Sequence, residues 1–267
     1  MGRMRTLLVV HAHPDDESVG TGGILARYSA EGVRTVLLTL TTGDLGEVSD
    51  AGLLGEGGVG DLRLRELAAA ADVLRISRVV NFGYHDSGMA GWSSNHAPGA
   101  LWAAPLDEVT RRLLALVDEE RPDAIVTYDE TGSYGHPDHL KTHQVTTEAV
   151  LRADGGPRLY LIRYPLNWSR AFVAALRAEG IDAPGSAPTG ADAGPEVDEI
   201  GVPDDLVTTR VDVSGYVGQK RAALACHRSQ MPPSHYLMRM SDTLAARFWS
   251  HEFFSRTGAR AETDLFG

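Results

Sequence analysis

The chain has 267 residues, enough to bury a full core as one large α/β domain or two small ones. A charged fraction of 23% and a hydrophobic fraction of 43% are ordinary for a soluble globular protein, and a net charge of −11 without clustered Lys and Arg argues against nucleic-acid binding. The lone cysteine, Cys226, excludes an internal disulfide framework and a thiolate metal cage.

At the N-terminus, Met-Gly-Arg-Met-Arg-Thr is followed by only the apolar run Leu7–Val10 before His11. That run is too short for a signal-peptide core or a membrane span, so a soluble, cytoplasmic protein is expected. Apolar runs of strand length then alternate with amphipathic segments of helix length, the pattern of βαβ units and a mostly parallel sheet. Strands are expected at Leu7–His11, Thr35–Leu40, Val79–Phe82, Ala124–Tyr128 and Leu159–Arg163. Helices are expected between them at Glu17–Glu31, Leu62–Arg75, Leu106–Glu120 and Pro137–Leu151. Residues 166–206 form a variable loop or flap region, in which Asp182–Asp204, rich in Pro, Gly, Ala and Asp, reads as a long loop or mobile flap. Val207–Val213 reads as a further strand, and Tyr216–His227 and Asp242–Phe254 as closing helices. The expected fold class is α/β, a mostly parallel sheet flanked by helices with a smaller C-terminal β/α addition. It is organised as a single domain over 1–267, with a core at 1–165 and a closure at 207–267. No internal repeat is visible.

The first strand runs into His11-Ala-His13-Pro-Asp15-Asp16-Glu17, where a buried strand turns into a helix. Open α/β sheets bind ligands at that position. A catalytic zinc site offers three His or carboxylate ligands and leaves a position open for water. His13 and Asp16, three residues apart across the turn, converge on one point, and Asp15 between them points elsewhere. A carboxylate near the metal but not on it is what a general base requires. These acids also suit a helix N-terminus, and for Glu17 the two roles weigh equally. His11, ending an apolar strand, reads as a packed residue. The fourth strand leads to Tyr134-Gly-His136-Pro-Asp138-His139, in the same topological position. His139 reads as the third ligand of one shared metal site. His136 reads as an acid for a leaving amine or a cation stabilising an oxyanion, and Tyr134 as a phenol donor to that oxyanion. Asp138 reads as a helix cap, and His143 as helix surface or a residue behind the site. The same donors bind iron(II) as well as zinc.

Other motifs are weak. Gly20-Thr-Gly22-Gly23 falls inside the first expected helix rather than at the strand–helix turn, so it is no dinucleotide fingerprint and reads as a packing feature. There is no Walker A lysine loop, Ser18 and Cys226 lack the setting of an activated nucleophile, and His227 is too isolated to rank as a ligand.

Ala12-His13-Pro14-Asp15-Asp16-Glu17 and His136-Pro137-Asp138-His139 resemble the two signature motifs of the LmbE/PIG-L family of zinc-dependent N-acetylglucosaminyl deacetylases. The resemblance implies a Rossmann-like α/β fold and removal of an acyl group, usually acetyl, from an amino-sugar conjugate. It implies Zn2+ held by His13, Asp16 and His139, Asp15 as base, His136 as acid or electrostatic catalyst, and Tyr134 as oxyanion contact. Asp86-Ser-Gly-Met-Ala-Gly91, Tyr128–Gly135 and Ala-Cys-His227-Arg-Ser-Gln230 are similar to the branch that acts in mycothiol metabolism. That branch holds a sugar deacetylase and a mycothiol S-conjugate amidase. By the same likeness Arg63 and Asp86 hold sugar hydroxyls. The amidases carry a lysine where this chain has Gly20, which favours the deacetylase, although Glu262–Phe266 is more similar to the amidases. A natural-product sugar deacetylase is the third reading within the family. The expected partner is a small amino-sugar conjugate, with no nucleic acid or membrane, and a homo-oligomer is compatible with the chain. From other classes, a non-catalytic sugar- or nucleotide-binding module would hold no metal, and a nicotinamide-dependent oxidoreductase is disfavoured by Pro14-Asp15-Asp16 at the turn.

Overall fold

The continuous apolar runs do form a buried parallel sheet in the computed structural model, which describes residues 3–182 and 201–267. The strands are β1 (Thr6–His11), β2 (Arg34–Thr41), β3 (Arg78–Tyr84), β4 (Ala124–Thr127), β5 (Arg158–Ile162), β6 (Thr209–Asp212) and β7 (His251–Ser255). They lie side by side in the order β3-β2-β1-β4-β5-β7-β6. The first five run parallel, and β7 is antiparallel to both β5 and β6.

Both faces of this sheet are covered, which explains why β1 is apolar throughout rather than alternating. Leu7 and Val9 of β1 point to one layer with Ile24, Leu25 and Tyr28 of helix α2 (Gly22–Ala30) and Leu67 and Leu74 of α3 (Gly58–Leu74). Leu8 and Val10 point to the other, with Val109 and Leu113 of α4 (Leu106–Glu120) and, after the one-turn α5 (Gly132–Gly135), Val145 and Ala149 of α6 (Pro137–Arg152). A third apolar cluster sits under α7 (Leu166–Ala178), α8 (Val217–Leu224), α9 (Tyr236–Arg239) and α10 (Asp242–Phe248). Among the described residues no helix is long and apolar enough to cross a membrane.

The order places β1 beside β4, with Leu7 opposite Ala124 and Val9 opposite Val126. From there the chain winds to β2 and β3 on one side and to β5 on the other. Such a reversal opens a crevice at the carboxyl ends of the two central strands. The two His/Asp clusters follow those strands.

Four expectations change. The helix expected at Glu17–Glu31 is two helices, α1 (Asp16–Gly20) and α2, broken at Thr21. The Thr21 hydroxyl turns back to the Glu17 carbonyl at 3.0 Å and receives His11 Nε2–H at 2.9 Å. This side-chain bond offers the backbone an alternative to the helix. The helix expected at Asp242–Phe254 stops at Phe248, and β7 follows, with Glu252 and Phe254 facing in and their neighbours half-buried. The region 166–206 is not all loop, because α7 occupies its first third and packs Val173 and Leu176 inward. Residues 183–200, most of the expected flap, lie outside the described residues. The helix expected at Tyr216–His227 is shorter, Val217–Leu224, because the chain turns at Ala225 to deliver His227 into the interior.

The C-terminal addition is tied to the core through Glu252. Its carboxylate accepts the backbone N–H groups of Gly23 and Ile24 at 2.8 Å, in the first turn of α2, and the Lys220 ammonium at 2.7 Å. An anion there satisfies amides that the helix itself cannot.

Candidate metal centre

Three donor atoms meet at the switch point. His13 Nδ1 lies 3.2 Å from His139 Nε2 and 3.4 Å from Asp16 Oδ2, and His139 Nε2 lies 3.6 Å from the same oxygen. A tetrahedral ion with bonds of about 2.0–2.1 Å separates its ligand atoms by about 3.3–3.4 Å. The donor triangle therefore fits a zinc-sized ion. Two wider groups of donors, His13 with His136 and His139, and His13 with Asp86, His136 and Asp138, also gather within 4.8 Å.

The bonds behind the triangle fix its tautomers. His139 Nδ1 faces the Gly132 carbonyl at 3.1 Å, which leaves Nε2 with its lone pair forward. His13 Nε2 faces Asp138 Oδ2 at 3.2 Å, which leaves Nδ1 forward. A carboxylate or carbonyl behind a ligating imidazole is the usual support of a metal site. Both Asp138 oxygens are engaged, one by His13 and the Ser87 amide at 2.9 Å, the other by the Ser87 hydroxyl at 2.5 Å. This satisfied carboxylate belongs behind His13, so the group containing Asp138 is the weaker candidate. The third donor, Asp16, receives the Tyr128 phenol at 2.6 Å and the His13 amide at 2.9 Å. Tyr128 also stacks on the His139 ring, with centroids 4.1 Å apart.

Asp15 points away from the triangle through an unusual backbone conformation, φ 113°. Its amide donates to Glu17 Oε2 at 2.9 Å, and Glu17 Oε1 receives His227 Nε2–H at 2.7 Å and the Ser18 hydroxyl. The buried Glu17–His227 pair thus clamps the strained turn. Burial pushes the Asp15 carboxyl up to about 6, against the pull of Arg63. Arg63 is itself buried: it donates to the Pro14 carbonyl at 2.6 Å, to Asp15 Oδ2 at 3.0 Å and to the Gly43 carbonyl at 2.8 Å.

His136 accepts the Asp138 amide at Nδ1, 3.1 Å away, as cap of α6. Its free Nε2–H lies 4.0 Å from Asp86 Oδ1. Burial, then the neighbouring His13 and His139, push its pKa down to about 3, so it is neutral. Asp86 Oδ1 also lies 3.6 Å from His13 Nε2 and accepts the Gly88 amide at 2.8 Å. Tyr134 stands on the rim, 38% exposed, with its ring 5.0 Å from that of His139. It follows Ser133, whose φ of 65° makes this a strained turn beside the site. The turn is held by Asp129 Oδ1, which accepts the Thr131 and Ser133 amides. Gly132 is required there: its φ is +63° and a Cβ would lie 2.9 Å from His139 Cβ.

All eight residues singled out in the sequence are therefore grouped at one crevice, with Arg63 turned inward onto Asp15. Sequence reasoning missed the supports. Asp138 reads as a cap, Tyr128 as a strand end, and His227 as too isolated to rank as a ligand. Spacing held one usable signal for Tyr128, which ends the strand that delivers the second cluster. His227, 210 positions from Glu17, was marked only by the likeness of its segment to the mycothiol branch, which names no partner. His11 is fully buried against Thr21 and Tyr128, as expected of a packed residue.

A Rossmann-type sheet with this donor triangle, a raised carboxyl and a neutral imidazole at its switch point defines a metal-dependent hydrolase. Residues 8–150 match the family model PIG-L, GlcNAc-PI de-N-acetylase; the chain belongs to this family and is an amide-hydrolysing deacetylase. The 1D-myo-inositol 2-acetamido-2-deoxy-α-D-glucopyranoside deacetylase of Thermobifida fusca is 39% identical over 290 residues, 98% of this chain and 99% of the relative. The N,N'-diacetylchitobiose deacetylase of Pyrococcus horikoshii, solved with an inhibitor, is 20% identical with a TM-score of 0.61, covering 95% of this chain and 84% of that one. The 4-carboxy-2-hydroxymuconate hydratase of Pseudomonas putida reaches a TM-score of 0.62 at 21% identity over 98% of this chain and 99% of its own. The fold is thus shared with a different chemistry, and the reaction follows from the sequence family and the site.

Proposed function

We propose that the protein removes the N-acetyl group of a glucosaminyl-inositol conjugate in the cytoplasm, with zinc held by His13 Nδ1, Asp16 Oδ2 and His139 Nε2. The donor triangle, with its two imidazole tautomers fixed from behind, is the observation that carries this reading. The substrate class follows the Thermobifida fusca relative, matched over nearly its full length. Gly20, in place of the lysine of the amidases, supports deacetylation over thioether-conjugate cleavage. The chain works as one domain, with 207–267 closing the crevice.

When bound, a divalent ion supplies Lewis acidity to the amide carbonyl and acidifies water. Asp15, positioned by Arg63 and raised to about 6, takes the proton of the attacking water as a C–O bond forms. The same proton, now on Asp15, passes to the amide nitrogen as the C–N bond breaks, releasing acetate and a primary amine. His136, held neutral, acts through Nε2–H as a hydrogen-bond donor to the developing oxyanion, and Tyr134 adds its phenol from the rim. Asp86 and Arg63 frame the sugar side, Asp86 by its second oxygen.

The test joins metal analysis to acetate-release kinetics. Asp15→Ala and His136→Ala are expected to lose about 10²–10⁴-fold in kcat with metal retained. His139→Ala is expected to lose metal and activity together. Full metal occupancy in His139→Ala overturns the ligand assignment.

A further inference from the structure

We propose that the substrate's acyl group enters an aromatic pocket beside the donor triangle, and that the enzyme accepts apolar acyl chains longer than acetyl. The proposal rests on the amide-hydrolase reading above and adds its acyl specificity. A cavity of about 250 Å³ opens from Asp16, His139 and Tyr134 and runs between Trp168, Phe172 and Phe248. Asp15, Arg63, Asp86 and His136 take no part in its wall. An amide held at the triangle has two ends. With its amino sugar on the Arg63 and Asp86 side, its acyl carbon faces this cavity.

The far wall comes from β5, α7, α8, α9, α10 and β7, all beyond the residues 8–150 that match the family. The pocket is thus closed by the part of the chain beyond the matched segment. Beyond Asp16, its charged members are paired, Lys220 with Glu252 at 2.7 Å and Arg163 with Asp129 at 3.2 Å and Glu130 at 2.8 Å, and offer no unsatisfied charge to an apolar guest. Gly20, the last residue of α1, keeps the pocket open. A Cβ there would already touch Ile162 Cδ1 at 3.4 Å, the Tyr164 hydroxyl at 3.7 Å and His11 Cε1 at 3.8 Å, so a longer side chain would occupy the cavity. A methyl group is close in size to a water, whose share of liquid volume is about 30 Å³. The cavity is several times larger than the methyl group of acetyl, which leaves room for a longer acyl chain.

Burying one methylene is worth about 0.8 kcal/mol, about fourfold in an equilibrium constant. The experiment compares the methyl glycosides of N-acetyl-, N-butanoyl-, N-hexanoyl- and N-octanoyl-glucosamine, with released amine as readout. We expect kcat/KM to rise about threefold per added methylene as far as hexanoyl. Gly20→Leu should cut the hexanoyl-to-acetyl ratio at least about tenfold, and Phe172→Trp, which fills the opposite wall, should do the same should the first variant fail to fold. Octanoate titrated against the intrinsic fluorescence of Trp168 and Trp249 reads the pocket without turnover, and should saturate in the wild type and not in Gly20→Leu. Cleavage of acetyl with flat or falling rates for longer chains overturns the pocket assignment, as does absence of octanoate binding. Octanoate binding without hydrolysis of any N-acyl sugar supports the pocket while refuting the hydrolase reading.

Discussion

Replacing Asp138 by Asn separates the support of a metal ligand from the chemistry. The Asp138 carboxylate is fully buried and meets three donors, His13 Nε2–H at 3.2 Å, the Ser87 amide at 2.9 Å and the Ser87 hydroxyl at 2.5 Å. An asparagine oxygen can keep the first two, and its amide nitrogen can face a Ser87 hydroxyl turned from donor to acceptor. Shape and hydrogen bonding survive, and only the charge behind His13 is lost. Carboxylates in that position are worth about 10- to 100-fold in metal affinity, about 1.4–2.8 kcal/mol. Asp138→Asn should weaken zinc binding by that factor, measured by competition with a chromophoric chelator. At saturating zinc, kcat should stay within about threefold of wild type. Unchanged zinc affinity with a collapsed kcat would refute the reasoning, because Asp138 would then act on the substrate and not through His13.

Two further predictions concern the turns that deliver the site. Gly132→Ala, at φ +63° with the His139 backbone in the way, should cost about 1–3 kcal/mol in stability by urea denaturation and weaken zinc binding as His139 shifts; a variant with wild-type zinc affinity contradicts the role given to this turn. His227→Gln breaks a fully buried ion pair, a loss of about 3–5 kcal/mol, and its pH dependence has a defined sign. Burial lowers the His227 pKa but the Glu17 charge outweighs it, so the folded value lies above 6.5. Its stabilisation is therefore complete below 6.5 and is lost as pH rises through the folded value. Glu17, also opposed by burial, is held below 4.5 by His227, and its contribution is lost as pH falls through its own folded value. The stability gap between wild type and His227→Gln should be widest between about pH 4.5 and 6.5 and narrow toward pH 9. A gap that does not change with pH contradicts an ionised pair.

The sheet was legible because its central strands are buried on both faces. Leu7–Val10 and Ala124–Val126 are unbroken apolar runs, the first leading directly into a His/Asp cluster and the second followed by one after a short turn. Local spacing also conveyed the donors, since His13 and Asp16 share one turn and His139 begins α6. What escaped was set by long-range contacts. Thr21 breaks the first helix because it finds His11 and the Glu17 carbonyl, partners no periodicity announces. The tail of the last expected helix became β7 because β5 and β6 offer it a place in the sheet, and the period-two burial of His251–Ser255 was the overlooked sign. In α7, Trp168, Phe172, Val173 and Leu176 recur at helical spacing, but the Pro- and Gly-rich stretch beyond it drew the whole region into a loop reading. The roles of Asp138, Tyr128 and His227 depend on side-chain hydrogen bonds that span 51 to 210 positions, and a motif records residue types, not the partners behind them.

Anomalous diffraction at the zinc edge, from crystals grown with one equivalent of zinc, tests the central claim most directly. The account predicts a single peak about 2.0–2.2 Å from His13 Nδ1, Asp16 Oδ2 and His139 Nε2. A peak lodged instead between His13 Nε2, Asp86 and Asp138, or no peak at all, would contradict it.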